Sequence, residues 1–217
     1  MFITGGTGYV GSRLISKLIA RGHAVRALVR QESVHKLPAG CEAVIGTPFD
    51  ADSFIDRVAP ADTFVQLVGT PHPAPWKAKQ FREVDLVSAR ESIRAAKQAG
   101  VKHVIYLSVA QPAPIMRAYV AVREWCEIQL RASGLRSTIL RPWYILGPGH
   151  SWPLLLLPAY WMMERLPRMR DAARRLGLVT IRQMTDALVW SAEHPAVGWR
   201  VVTVPEIRTL SYREATS

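Results

Sequence analysis

The sequence predicts an α/β fold in which helices cover both faces of a parallel sheet, and three features carry that reading. Short apolar runs alternate along the chain with segments of helical period, the pattern of strand–helix–strand units. The first strand runs directly into a glycine-rich turn, Thr4-Gly5-Gly6-Thr7-Gly8-Tyr9-Val10-Gly11. Glycines at 22, 100 and 134 close the expected helices, where a residue tolerant of left-handed angles ends a helix without steric cost.

The elements follow in order. Met1–Thr4 is a very short first strand. Gly8–Ala20 carries Val10, Leu14, Ile15, Leu18 and Ile19 at helical spacing and ends at Arg21-Gly22, the period of a half-buried helix. Ala24–Val29, Glu42–Ile45 and Thr63–Val68 are the next three strands. A long helix over Lys79–Ala99 stops at Gly100, and His103–Ser108 is the fifth strand. Ala118–Ala132 is helical, and Ser137–Leu140 is the sixth strand. Past Gly149 the texture changes to the Leu-, Trp-, Tyr- and Met-rich Trp152–Met163, followed by Arg165, Arg168, Arg170, Arg174 and Arg175. A helix over Gln183–Glu193 and a strand over Arg200–Val204 complete the expected elements.

At 217 residues, with 49% hydrophobic and 21% charged residues, the chain suits a single domain. Its core is expected over residues 1–150, with a C-terminal elaboration over 151–217. Cys41 and Cys126 lack ligand spacing and read as small hydrophobes in a reducing compartment. The six histidines are scattered, so no metal site is expected. Met1 leads straight into a strand rather than a secretory leader. No apolar run reaches the roughly 18 residues of a membrane span. These features point to a cytoplasmic protein. The net charge of +11 leaves three explanations open: an arginine-rich exterior, an anionic membrane surface or nucleic acid.

The glycine turn carries the chemistry. Gly5 can adopt the backbone angles of a tight turn. Gly8 lets the chain approach a pyrophosphate, and Gly11 lets helix and strand pack closely. The N–H groups of the helix's first turn then face the phosphates. Strand, glycine turn, amphipathic helix and second strand occur in sequence, the context that turns a glycine motif into a Rossmann-type dinucleotide site. The second strand ends at Leu28-Val29-Arg30. An acidic residue there would grip the ribose hydroxyls of NAD(H), whereas the Arg30 guanidinium suits the extra phosphate of NADP(H). Arg26 lies nearby in sequence as a second cation. NADP(H) is the expected cofactor, with NAD(H) as the other form open to the site.

Together these motifs resemble the short-chain dehydrogenase/reductase superfamily, in its extended or atypical branch. Ser108 ends the fifth strand, Tyr119 follows in Ala118-Tyr119-Val120-Ala121-Val122-Arg123, and Thr138-Ile139-Leu140-Arg141-Pro142-Trp143 leads to Gly147-Pro148-Gly149. The texture of Leu67-Val68-Gly69 and of Pro71–Trp76 is similar to the subgroup of the complex I accessory subunit, quinone-biosynthesis proteins and NAD-dependent epimerases. The resemblance implies cofactor contacts from Gly5, Thr7, Gly8, Tyr9, Val10, Gly11, Leu67, Val68, Gly69, Tyr119, Arg123 and Pro142. It also implies that Asp50 approaches the adenine.

In active relatives a tyrosine exchanges the hydroxyl proton, a serine holds the carbonyl, and a lysine one turn beyond the tyrosine lowers its pKa and anchors the ribose. The resemblance places Tyr119, Ser108 and Arg123 in these roles, with arginine where the lysine is expected. A free tyrosine near pKa 10 is a poor base at neutral pH, so the cation matters. Arginine keeps the charge but presents a planar fork of donors. The alternative for these residues is structural: Ser108 capping a strand end, Tyr119 half-buried, and Arg123 paired with Glu127 at helical spacing.

The apolar C-terminal segment and its arginines fit a small hydrophobic carbonyl or quinone-like substrate, or peripheral docking on the anionic inner face of a membrane. No aromatic residues interleave with the arginines as they do in nucleic-acid grooves, so a nucleic-acid partner is not expected. Two functions stand beside each other: an NADP(H)-dependent oxidoreductase, and a non-catalytic NAD(P)H-binding scaffold, assembly factor or redox sensor.

Overall fold

The computed structural model describes residues 1–113, 115–149, 162 and 170–213. In chain order these form β1 (Phe2–Thr4), α1 (Tyr9–Ala20), β2 (Arg26–Val29), β3 (Glu42–Ile45) and β4 (Thr63–Gln66). The helical run that follows comprises α2 (Ala78–Gln80), a π-helical stretch (Phe81–Leu86) and α3 (Val87–Gln98). Next come β5 (His103–Leu107), α4 (Arg117–Ala132), β6 (Ser137–Arg141), β7 (Tyr144–Leu146) and α5 (Arg170–Arg175). The last elements are β8 (Leu178–Thr180), α6 (Ile181–Glu193), β9 (Trp199–Thr203) and α7 (Val204–Arg213).

Seven strands form one sheet in the order β3-β2-β1-β4-β5-β6-β9, and every pairing in it is parallel. Alternation along the strands supplies both faces. Ile3, Val65, Ile105 and Leu140 pack with Leu14 and Ile15 of α1, Leu188 of α6 and Ile207 of α7. Phe2, Phe64, Val104 and Ile139 turn the other way, onto Phe54, Ala95 of α3 and Leu130 of α4. A parallel sheet covered on both faces needs such two-sided apolar strands, and the expected doubly wound architecture is observed.

Several details differ from expectation. β4 ends at Gln66, so Leu67, Val68 and Gly69 form a loop beyond the sheet. α6 starts at Ile181 rather than at Gln183, because the Thr180 hydroxyl accepts from Gln183 N while the Gln183 side chain accepts from Thr180 N, a capping box. The small parallel pair β7–β8 and the helix α7 were not anticipated. Each strand of that pair is three residues long, too short to show a period. α7 had a readable start, Thr203-Val204-Pro205-Glu206, where Thr203 N and Oγ1 both donate to the Glu206 carboxylate at 2.6 Å. No described helix is long and apolar enough to cross a membrane.

Candidate cofactor and active site

The order of the strands reverses between β1 and β4, and nucleotides bind beyond the C-terminal ends of strands at such a switch point. Two loops meet there. Gly5 has φ +76°, and a Cβ on it would lie 3.0 Å from both the Leu67 carbonyl carbon and Val68 N. The Thr4 hydroxyl donates to Gln66 Oε1, which also accepts from Val68 N at 3.2 Å, and this ties the two loops together. A Cβ on Gly11 would run into the Gly5 carbonyl oxygen and lie 2.9 Å from Gly6 Cα. Helix α1 can therefore approach the turn only with glycine at that position. A Cβ on Gly6 would meet Ile15 Cδ1 at 2.8 Å, so a third glycine of the turn serves packing.

This turn fits a pyrophosphate. Gly8 provides no side-chain cap to α1 and no acidic residue sits in the first turn. The start of α1 is thus left without a side-chain cap or a local negative charge, the setting in which a helix N-terminus suits an anion. Apart from its chain neighbours, a Gly8 Cβ would meet the Gly5 carbonyl oxygen, at 3.2 Å, and no other described atom within 4 Å. Thr7 lies in the same turn, and Arg13 covers the Tyr9 ring at 4.3 Å.

A cavity of about 370 Å³ adjoins the turn. Its lining includes Tyr9 and Val10, then Ser108, Val109, Tyr119 and Arg123, and also Thr70, Pro142, Trp143, Tyr144 and Ile145. Ser108, Tyr119, Arg123 and Pro142 are thus brought to one cavity with two residues of the glycine turn. Gly69 sits against it, since a Cβ there would strike the Arg123 guanidinium.

Arg123 is 5% exposed. Its Nη2 pairs with Asp85 Oδ1 at 2.6 Å, and Nη1 donates to the Leu107 carbonyl at 2.8 Å and the Tyr106 hydroxyl at 3.2 Å. Its guanidinium carbon lies 5.2 Å from the centre of the Tyr119 ring. The Arg123–Glu127 pair of the structural alternative does not form; Asp85, from the π-helical stretch, takes Glu127's place. Glu127 turns to Arg141 instead, with Arg141 Nε 3.1 Å from Oε1 and Nη2 bonded to Oε2. Helical spacing signals a local pair but not a competitor from another element, and Asp85 is fully buried. Its signal in the sequence was an acidic residue in the apolar stretch Val84-Asp85-Leu86-Val87.

Ser108 also differs from expectation. Its hydroxyl donates to Glu127 Oε1, so its single proton is not directed at a carbonyl in the cavity. Burial pushes the Tyr119 hydroxyl above its ordinary range, and the adjacent Arg123 charge opposes that rise. Phe81 packs on the Tyr119 ring with centroids 4.9 Å apart.

The remaining residues lie apart from the cavity. Arg30 is exposed just beyond β2, with Nε 3.3 Å from Glu32 Oε1. Arg26 lies at the opposite end of β2, bonded to Glu42 and to the carbonyls of Arg57 and Ala59. It is therefore not a companion to Arg30, because three residues of extended chain, 27–29, separate the two. Asp50 is exposed; its side chain accepts from Asp52 N at 3.1 Å and lies 3.7 Å from Arg94 Nη2. Cys126 is buried and Cys41 partly so. Among the described residues no group of three His, Cys, Asp or Glu side chains is arranged to hold a metal. Of the apolar stretch Trp152–Met163, all but the exposed Met162 lies outside the described residues, as do Arg165 and Arg168. Arg175 donates to the Pro112 carbonyl at 3.1 Å.

Comparison with known proteins agrees with this geometry. A family model described as NAD(P)H-binding matches residues 5–150. A ceramide reductase from Caulobacter vibrioides is 28% identical over 216 residues, covering 97% of this chain and 65% of the relative. The 4-hydroxy-2-methyl-3-oxo-4-farnesyl-3,4-dihydroquinoline-1-oxide ketoreductase of Stigmatella aurantiaca is 26% identical over 168 residues, covering 67% of this chain and 50% of the relative. The chain thus spans about half to two thirds of these relatives' lengths. The Bordetella bronchiseptica enzyme WbmH, solved with NAD+, shares the fold with a TM-score of 0.69 at 19% identity, over 93% of this chain and 74% of that one. The chain belongs to the NAD(P)H-binding family.

Proposed function

We propose that the chain is an NADP(H)-dependent oxidoreductase that reduces a carbonyl group on a small, apolar substrate. The observation that carries this reading is the shared cavity, in which Tyr9 and Val10 of the dinucleotide turn face the same space as Tyr119 and Arg123. When bound, the nicotinamide cofactor supplies hydride. Tyr119 supplies the proton, and its raised pKa keeps the phenol protonated at neutral pH, the state a donor requires. Arg123 stabilises the charge left on the phenolate. Its Nε–H is buried without a hydrogen-bond partner and is the group we assign to the cofactor's ribose. The names of two relatives, a ceramide reductase and a ketoreductase of a farnesyl-bearing quinoline oxide, support an apolar carbonyl substrate. So do Val10, Val109, Pro142, Trp143 and Ile145 in the cavity wall.

NADPH oxidation by purified protein, followed with a panel of apolar ketones, aldehydes and quinones, tests the proposal. Turnover supports it. Tight NADPH binding with no turnover on any of them would favour a second reading, a non-catalytic scaffold or redox sensor. One observation favours that alternative: both the Ser108 proton and most of the Arg123 guanidinium are committed to internal partners.

The preference for NADP(H) rests on Arg30, whose exposed pair with Glu32 is weak enough to be exchanged for a phosphate. A hydrogen bond to a charged group contributes about 1.5–3 kcal/mol. Arg30→Ser is therefore expected to weaken NADPH binding about tenfold or more and leave NADH binding unchanged. Equal effects on the two cofactors in a fluorescence titration would remove Arg30 from cofactor choice.

A further inference from the structure

We infer that the ligand of the cavity carries hydrogen-bond donors, a hydroxyl or an amide N–H close to its carbonyl, which are received by Ser108 and Thr70. The inference rests on the proposed function only in taking a carbonyl-bearing apolar molecule as the occupant.

Both residues line the cavity, and both have their single hydroxyl proton directed into the protein. Ser108 Oγ donates to Glu127 Oε1. That carboxylate also receives Gln111 Nε2 at 2.9 Å and both Nε and Nη2 of Arg141. Arginine can only donate, so both Glu127 oxygens must accept, and the proton between Ser108 and Glu127 belongs to serine. Thr70 repeats the arrangement: Oγ1 donates to Asp85 Oδ2 at 2.6 Å, while Asp85 Oδ1 pairs with Arg123. Glu127 and Asp85 are 3% and 0% exposed, so water does not compete for either carboxylate.

Each hydroxyl is therefore left with lone pairs alone to offer the cavity. The arginine–carboxylate pairs Arg141–Glu127 and Arg123–Asp85 fix these two hydroxyls as acceptors. Tyr119, protonated, is the donor proposed above for the carbonyl oxygen. A quinone or plain ketone, whose oxygens only accept, would meet Tyr119 well but would set oxygen against oxygen at Ser108 and Thr70. An apolar molecule with a hydroxyl or amide N–H beside its carbonyl offers an acceptor to Tyr119 and a donor to Ser108 or Thr70. Sites built around a donor–acceptor pair discriminate strongly against analogues that lack one member.

The test measures binding by titration calorimetry on the full chain loaded with NADP+, so that the cofactor's own donors are already seated. The ligands are a medium-chain α-hydroxy ketone, its methyl ether and the parent ketone. The hydroxy ketone is expected to bind at least about tenfold tighter than either analogue. Ser108→Ala and Thr70→Val, which remove the accepting oxygens, are expected to shrink that preference, with NADP+ affinity retained as the control for folding. Equal affinity for the three ligands, binding of none, or a full preference surviving in both variants would overturn the inference. Failure of the reductase reading would show separately, as a hydroxy ketone that binds with this preference but never oxidises NADPH.

Discussion

Replacing Asp85 by alanine is expected to lower folding stability by about 3–5 kcal/mol, a large part of the margin of a domain this size. The carboxylate is fully buried and accepts from Thr70 N, Thr70 Oγ1 and Arg123 Nη2. Without it, the buried Arg123 charge is left to neutral partners among the described residues, the Leu107 carbonyl and the Tyr106 hydroxyl included. An isolated buried charge is far more costly than a missing pair, so removing both charges with Asp85→Leu and Arg123→Met should recover much of the loss. Urea unfolding of the three proteins measures this. A loss below about 1 kcal/mol for Asp85→Ala, the range of exposed ion pairs, would show that the pair does not hold Arg123 in place.

Tyr119→Phe is expected to lower kcat/KM for carbonyl reduction by about 10²–10⁴-fold, the usual worth of a positioned proton donor. NADPH affinity should remain, because the ring is retained along with its packing on Phe81 and its place beneath the Arg123 guanidinium. Steady-state kinetics on wild type and variant, with cofactor binding measured separately, distinguishes loss of the donor from loss of the site. A variant that binds NADPH and turns over at the wild-type rate would exclude Tyr119 as the proton source.

The sheet was legible because its strands bury alternate residues on two faces and its helices carry long apolar stripes. Ile3 and Phe2, or Leu140 and Ile139, show both halves of that signal within adjacent residues. The glycine turn was legible for a local reason, since the conformation of Gly5 and the space at Gly11 exclude other side chains whatever the rest of the chain does. What escaped was non-local. The helical spacing of Arg123 and Glu127 suggested a pair that two other elements broke, with Asp85 supplied by the π-helical stretch and Arg141 by the end of β6. The direction of the Ser108 proton depends on those same partners, so position at a strand end could not reveal it. Arg26 and Arg30 are close in sequence but lie at opposite ends of a strand, which proximity along the chain alone does not disclose.

The central claim, that this cavity joins a bound nicotinamide cofactor to a carbonyl substrate, is tested most directly by isotope transfer. The protein is incubated with NADPH carrying deuterium at the transferable nicotinamide position, together with apolar ketones bearing an adjacent hydroxyl or amide. The expected product is an alcohol with one deuterium on the former carbonyl carbon, formed mole for mole with NADP+. NADPH that binds tightly at the glycine turn yet delivers no deuterium to any of these ketones would contradict it.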